Sequence, residues 1–315
     1  MKKLIAKLIF LFVLVVAVLA LLAVIVFAWA APQFGGEYTG VISHKIERAE
    51  SIDEPKIVLV GNSNLAFGID SKRIEEALGM PVVNMGGHGG LGNEFHINMG
   101  KNGIGEGDIV VVAMTSYGDK GGLTPDLAWI AIENHGLWDL VPEDDRYEVL
   151  KAYPHYAFRT LGRWITGTGN KPNEGVYSIG SFNEYGDIVY IRDTSPQANY
   201  AGVSLPPELG ETVELVNEYA AWCAERGATC VVAAYPVITN EKTPPDAEAF
   251  DTFTVELTEA LNCPVISDFK DYFLDCHYFY DTVYHLNDEG VAIRTEQLIE
   301  DLRTWKEKGA LTRAE

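Results

Sequence analysis

Residues Lys56 to Asp70 read K-I-V-L-V-G-N-S-N-L-A-F-G-I-D, and the expected fold follows from this stretch. Ile57 to Val60 form an unbroken apolar run with three β-branched residues, which suits a strand buried on both faces of a parallel sheet. The run ends in the polar turn Gly61-Asn62-Ser63 and leads toward a helix expected over Ser71 to Leu78. Ser63 is thereby placed where the carboxyl end of a central strand meets a helix start. In open α/β sheets that crevice is where ligands bind, and backbone N–H groups there can face an anion. Gly, Asn and Ser are also ordinary turn formers, so the turn alone decides nothing.

A second stretch, Tyr280-Asp281-Thr282-Val283-Tyr284-His285-Leu286-Asn287, lies just before the last helix. A serine early and an acid with a histidine late on one sheet is an arrangement that nucleophilic acyl transfer uses. A neutral hydroxyl needs a base, and the chain offers His44, His88, His96, His135, His155, His277 and His285. His285 is preferred because its loop also carries Asp281, which can hold the imidazole tautomer, and because Asn287 or Asp288 caps the helix that follows. Donors for an oxyanion are expected from the glycine-rich stretch Asn84-Met85-Gly86-Gly87-His88-Gly89-Gly90. Its G-x-G-x-x-G match at Gly87 to Gly92 stands after the second strand and lacks the following acid, so a dinucleotide cofactor is not expected. Neither a metal nor any other cofactor is called for.

The chain has 315 residues, enough for one large domain or two small ones and ample for a real core. Leu8 to Ala31 is an uninterrupted apolar run, long enough as a helix to cross the hydrocarbon layer. Lys2, Lys3 and Lys7 precede it, which predicts a single-pass anchor in the cell membrane, amino terminus in the cytoplasm and the rest outside. Ala28-Trp29-Ala30 loosely matches a signal-peptide cleavage site, but the apolar core is longer than a cleaved one needs. The formal net charge is −21, and with the three lysines set aside the remainder carries −24. So acidic a surface argues against nucleic acid or anionic lipid headgroups as partners without help from cations. Cys223, Cys230, Cys263 and Cys276 have no zinc-like spacing. A Cys230–Cys263 bridge between neighbouring strand entries is one expectation, and buried free thiols are the other.

Residues 1–31 thus read as cytoplasmic tip and anchor, 32–55 as a polar stalk, and 56–308 as one α/β domain. Further strands are expected at Pro81 to Met85, Asp108 to Thr115, Thr229 to Tyr235 and Pro264 to Ser267, with helices at Leu209 to Glu225, Asp246 to Leu261 and Asp288 to Trp305. Residues 118–206, rich in Trp, Tyr, Gly and Pro, interrupt the alternation as an insertion placed to roof the crevice. Helices near Asp126 to Glu133 and Tyr147 to Trp164 are expected in it. A hairpin of Val176 to Ile179 against Ile188 to Ile191 should follow.

Taken together these residues resemble the SGNH (GDSL-like) hydrolase superfamily. Gly61-Asn62-Ser63 is similar to its Gly-Asp-Ser block, with Asn62 in place of the aspartate. Gly89 falls on the second-block glycine, five residues after Asn84, and Asp281 to His285 resembles the terminal Asp-x-x-His with one extra residue between. That spacing leaves Asp268 as an alternative acid. The third block, Gly-x-Asn-Asp, is missing: its place reads Thr115-Ser116-Tyr117-Gly118. The resemblance implies a flavodoxin-like, three-layer, doubly wound parallel sheet in the order 2-1-3-4-5. It implies Ser63, Asp281 and His285 as catalytic residues and the N–H groups of Ser63 and Gly89 as oxyanion donors, with Asn64 or Tyr117 substituting for the missing asparagine. Asn62, Asn84 and His88 would contact substrate. The membrane-anchored subgroup it resembles includes the D-alanyl transfer and alginate O-acetylation proteins. The implied activity is a serine esterase or O-acyltransferase, a hydrolase or transferase of the cell envelope acting on acylated glycan or polymer. A membrane-bound acyl-donor protein is the implied partner. The competing expectation is an inactive SGNH-like binding or scaffold protein, motivated by the missing block.

Overall fold

A computed structural model describes residues 2–133 and 136–312. Its centre is a parallel sheet of four strands, β1 (Ile57–Gly61), β2 (Val82–Asn84), β3 (Ile109–Ala113) and β4 (Thr229–Val232), in the order β2-β1-β3-β4. Ile57 lies opposite Val82 on one side and Ile109 on the other. Because side chains alternate across a strand, Ile57 and Leu59 enter one core while Val58 and Val60 enter another on the opposite face. This is why the run is apolar without alternation. The first face is covered by α4 (Ser71–Leu78) and α10 (Asp288–Thr312), through Ile74, Leu298, Ile299 and Leu302. The second is covered by α5 (Asn93–Gly100) and α8 (Glu211–Ala224), and the approach of α5 is close: a Cβ on Gly100 would meet Val60 Cγ2 at 2.6 Å.

The expected fifth strand at Pro264 to Ser267 is reduced to one parallel bridge, Val265 beside Val232. The chain turns away after Ile266, where Ser267 donates to Asp301 on α10 and Asp268 caps the next turn. Downstream of β4 a separate parallel pair joins β5 (Val237–Thr239) to β6 (Phe273–Asp275), with α9 (Ala247–Ala260) between them in sequence.

Two expectations about the rest of the chain are corrected. Residues 32–55 are not an extended stalk: they contain α2 (Val41–Ser51), whose Ile42, Ile46 and Ala49 are buried, and Arg48 donates to Val82 O of the edge strand. The apolar spacing that seats α2 was diluted by the charges between. The hairpin is also absent. Ser178 pairs with Glu37, and Ile188 meets Phe182 in a single antiparallel bridge. The Ile188 N–H goes instead to Ala66 O beside the turn that follows β1, so this segment is stitched to the domain rather than to 176–179.

The chain leaves the sheet at Tyr117 and returns beside it at Leu209 through one parallel bridge. The excursion carries α6 (Pro125–Ile132) and α7 (Arg146–Thr166), packed on one another. At the amino terminus α1 (Lys2–Ile25) buries no side chain and runs into a π-helical turn, Val26–Ala30. With a mean hydropathy of 3.6 over its most apolar window, this helix is long and apolar enough to cross a membrane.

Candidate active site

The turn after β1 is a short helix, α3 (Ser63–Ala66), capped by Asn62. Asn62 Oδ1 accepts the Asn64 N–H at 3.1 Å and Asn64 Nδ2 at 2.7 Å, and Asn62 Nδ2 donates to Thr115 Oγ1 beyond the end of β3 at 2.6 Å. Asn62 therefore ties the turn to the next strand end. Beneath it the guanidinium of Arg294, from α10, donates to Asn64 O at 2.5 Å and to Asn64 Oδ1 at 2.7 Å. Burial lowers the Arg294 pKa to about 10. Ser63 is thus held on a turn fixed by side chains from two other elements.

His285 Nε2 lies 2.8 Å from Ser63 Oγ, and His285 Nδ1 lies 2.8 Å from Asp281 Oδ1. The loop that supplies both residues is closed by an antiparallel bridge between Phe279 and Leu286, with the Tyr280 N–H donating to His285 O and the His285 N–H donating to Thr282 Oγ1. So tight a loop returns the chain on itself, and three intervening residues still leave acid and imidazole in contact. Asp268, the alternative acid, is occupied in capping the turn Phe269–Tyr272. The remaining histidines lie apart from Ser63 or are otherwise engaged. His44 is exposed on α2, His155 pairs with Asp126, His277 pairs with Asp275, and His135 lies outside the described residues.

Two side chains that sequence reasoning missed complete the triad's surroundings. Phe67, four residues after Ser63, stacks flat on the imidazole, with ring centroids 3.8 Å apart and planes at 3°. Tyr177, from the excursion, donates to Asp281 Oδ2 at 2.5 Å, leaving Oδ1 to His285. Burial pushes the Asp281 carboxyl up, but the bonds from His285 and Tyr177 outweigh it and hold its pKa below the ordinary value. The Tyr177 phenol is pushed up by burial and by its bond to that carboxylate. Phe67 is itself clamped: Arg192, also from the excursion, donates to Phe67 O and Ile188 O and pairs with Asp288 at the start of α10. The spacing Ser63 to Phe67 was a usable signal, being one turn of chain; nothing local marks Tyr177 or Arg192.

The glycine-rich stretch after β2 divides into two parts. Asn84 is fully buried and spends its amide on Leu65 O and Asp187 Oδ1, while its Oδ1 accepts the Gly86 N–H. It is a tie between loops and has no free group for a substrate. Gly89 begins a single 3-10 turn, Gly89–Leu91, so its N–H belongs to the end where amides find no partner within the turn. A Cβ there would meet nothing within 4 Å, so the backbone is open to approach. His88 Nδ1 accepts the Gly90 N–H, its ring sits edge-on to Tyr38, and burial followed by the nearby His285 lowers its pKa. Neither substitute for the missing asparagine faces the cleft. Both amide hydrogens of Asn64 are used, on Asn62 Oδ1 and Ala113 O, and Tyr117 is buried in the main core against Phe253.

A cavity of 200 Å³ lies beside the 279–286 loop, lined by Tyr200, Leu205, Tyr235, Ile238, Val283 and Tyr284. Away from it, Asp275, Cys276 and His277 bring three potential metal-ligand atoms within 4.8 Å of one another, but Asp275 Oδ1 already accepts the His277 N–H at 2.9 Å. All four cysteines are free and buried, so the expected Cys230–Cys263 bridge is not formed. The Cys230 thiol instead shares hydrogen bonds with those of Cys223 and Cys263. In comparisons with known protein families, curated proteins and solved structures, nothing matches this chain.

Proposed function

We propose that this chain is a membrane-anchored serine esterase or O-acyltransferase of the SGNH type, facing the outside of the cell and acting on acylated glycan or polymer of the envelope. The observation that carries the reading is the unbroken line from Asp281 Oδ1 to His285 Nδ1 and from His285 Nε2 to Ser63 Oγ, each contact 2.8 Å, at the carboxyl end of the central strand. In this mechanism Ser63 Oγ attacks the ester carbonyl as His285 Nε2 takes its proton. The carbonyl oxygen becomes an anion facing the N–H groups of Ser63 and Gly89. On collapse the alcohol leaves with the proton from His285, and the acyl group remains on Ser63. Water or a sugar hydroxyl then attacks, giving its proton to His285, and Ser63 is restored. Asp281 stays ionised throughout, holds the proton on Nδ1 and stabilises the imidazolium. Phe67 excludes water from one face of the ring.

The test is covalent labelling by a fluorophosphonate followed by hydrolysis of a short acyl ester by the detergent-solubilised full chain. Labelling should map to Ser63. Ser63→Ala and His285→Ala should each remove several orders of magnitude of turnover, and the double variant should lose little more than either, because residues acting as a unit are non-additive. Turnover that survives in Ser63→Ala would eliminate the nucleophile. A folded wild type that neither labels nor turns over would instead be the binding protein that the missing third block suggests.

A further inference from the structure

Helix α7 carries an apolar stripe that, apart from Leu161, stands exposed among the described residues. Tyr147, Leu150, Phe158 and Ile165 are 55–78 % exposed. With Pro154 and Leu161 they occupy positions three and four apart, which is one face of a helix. The stripe adjoins the side of α7 that meets the amino-terminal helix: Tyr153 Oη donates to Ala23 O at 3.2 Å. Trp29 and Trp164 are also exposed, at 73 % and 46 %.

Residues 33–37 are tied to α7 and to the end of α6. Glu133 accepts the N–H groups of Gln33 and Phe34, Arg163 donates to Gln33 O and Glu37, and the guanidiniums of Arg159 and Arg163 cover the Phe34 ring. The Tyr153 contact and the packing of the Val26–Ala30 turn on α7 set the end of α1 against the same helix. At 1.5 Å per residue, Ala23 lies about 12 Å before the end of the apolar run at Ala31. The run is about 36 Å long against about 30 Å of hydrocarbon, so even with the whole surplus outside, the Tyr153 contact lies about 6 Å within the apolar layer. Interfacial helices sit at about that depth.

Beneath the stripe a cavity of 440 Å³, lined by Trp129, Ile132, Leu137, Trp138, Leu150 and Tyr156, continues the apolar surface inward.

We infer that the exposed face of α7 lies in the outer leaflet of the bilayer that α1 crosses, seating the stripe among acyl chains. The inference rests on the anchor reading of α1. It makes the catalytic domain a monotopic unit held in one orientation, its site presented to substrates at the membrane surface.

The test places a nitroxide at single introduced cysteines in the full chain, in nanodiscs of mixed phosphatidylcholine and phosphatidylglycerol. The four native thiols are buried, and the unsubstituted protein supplies the blank. Leu150→Cys and Phe158→Cys should collide with oxygen and lose collision with a water-soluble nickel chelate. Glu256→Cys, exposed on α9, should remain open to nickel. Val15→Cys within α1 reports the anchor itself. Nickel access at 150 and 158 equal to that at 256, with 15 protected, would overturn the inference and leave the anchor standing. Nickel access at 15 as well would overturn the anchor reading first.

Discussion

His96 offers a stability prediction whose size can be worked from its surroundings. The ring is fully buried on α5 behind the glycine-rich loop, close enough that a Cβ on Gly87 would meet Nε2 at 2.8 Å. Among the described residues neither ring nitrogen has a hydrogen-bond partner. Burial first, and then the neighbouring His88 and Lys45, lower its pKa from 6.5 to about 3. Because the native value is the lower one, the unfolded chain holds an extra proton between pH 6.5 and 3, and stability falls as pH falls through that window. Each pH unit within it costs about 1.4 kcal/mol. Between pH 7.5 and pH 5 this one group therefore removes about 2 kcal/mol, which corresponds to about 4 °C in melting temperature for a domain of this size. His96→Leu keeps a similar volume and cannot titrate. Its packing cost is the same at both pH values, so the difference between the two conditions isolates the proton. Thermal melts of both proteins in detergent should show the variant gaining about 4 °C on the wild type when the pH is lowered from 7.5 to 5. An unchanged gap between the two proteins at both pH values would refute the argument, and would mean that His96 finds a partner for its proton in the native state.

Other substitutions probe the supports of the site. Tyr177→Phe removes the hydroxyl that bonds Asp281; kcat should fall about tenfold, the worth of one charge-assisted bond, with KM unmoved. The same change made in Asp281→Asn should add nothing. Arg294→Met leaves Asn64 O and Oδ1 unpaired under the nucleophile turn and should destabilise by about 3 kcal/mol in denaturant titration; a neutral result would remove Arg294 as the support of that turn. At the far end of the sheet, Lys56 Nζ and Asp108 Oδ2 form a buried pair at 3.0 Å. Asp108→Asn, which strands the ammonium, should cost about 3–5 kcal/mol, and a loss under about 1 kcal/mol would show that the pair is solvated.

How much of this was legible in the amino-acid sequence depends on the range of the interaction concerned. The apolar runs at β1 and β3, the helix at α9 with its Asp246 cap and the long apolar helix α1 are properties of neighbouring residues, and periodicity and length reveal them. Ser63 and His285 could be singled out for a related reason: each stands at a boundary between elements, where a polar residue is conspicuous. Asp281 was preferred to Asp268 from its place on the His285 loop, but that it touches the imidazole despite the extra residue between them follows only from the closure of the 279–286 loop. Asn64 and Tyr117 show the opposite failure: their types suit an oxyanion donor, but a donor is available only if its hydrogens are unspent and its side chain reaches the cleft. Residues 41–51 looked like a stalk because their charges hide a buried stripe that has meaning only beside β2. Tyr177 and Arg192 had no signal at all. They reach Asp281 and Phe67 from more than a hundred residues away, and only tertiary folding pays the entropy of bringing such distant segments together.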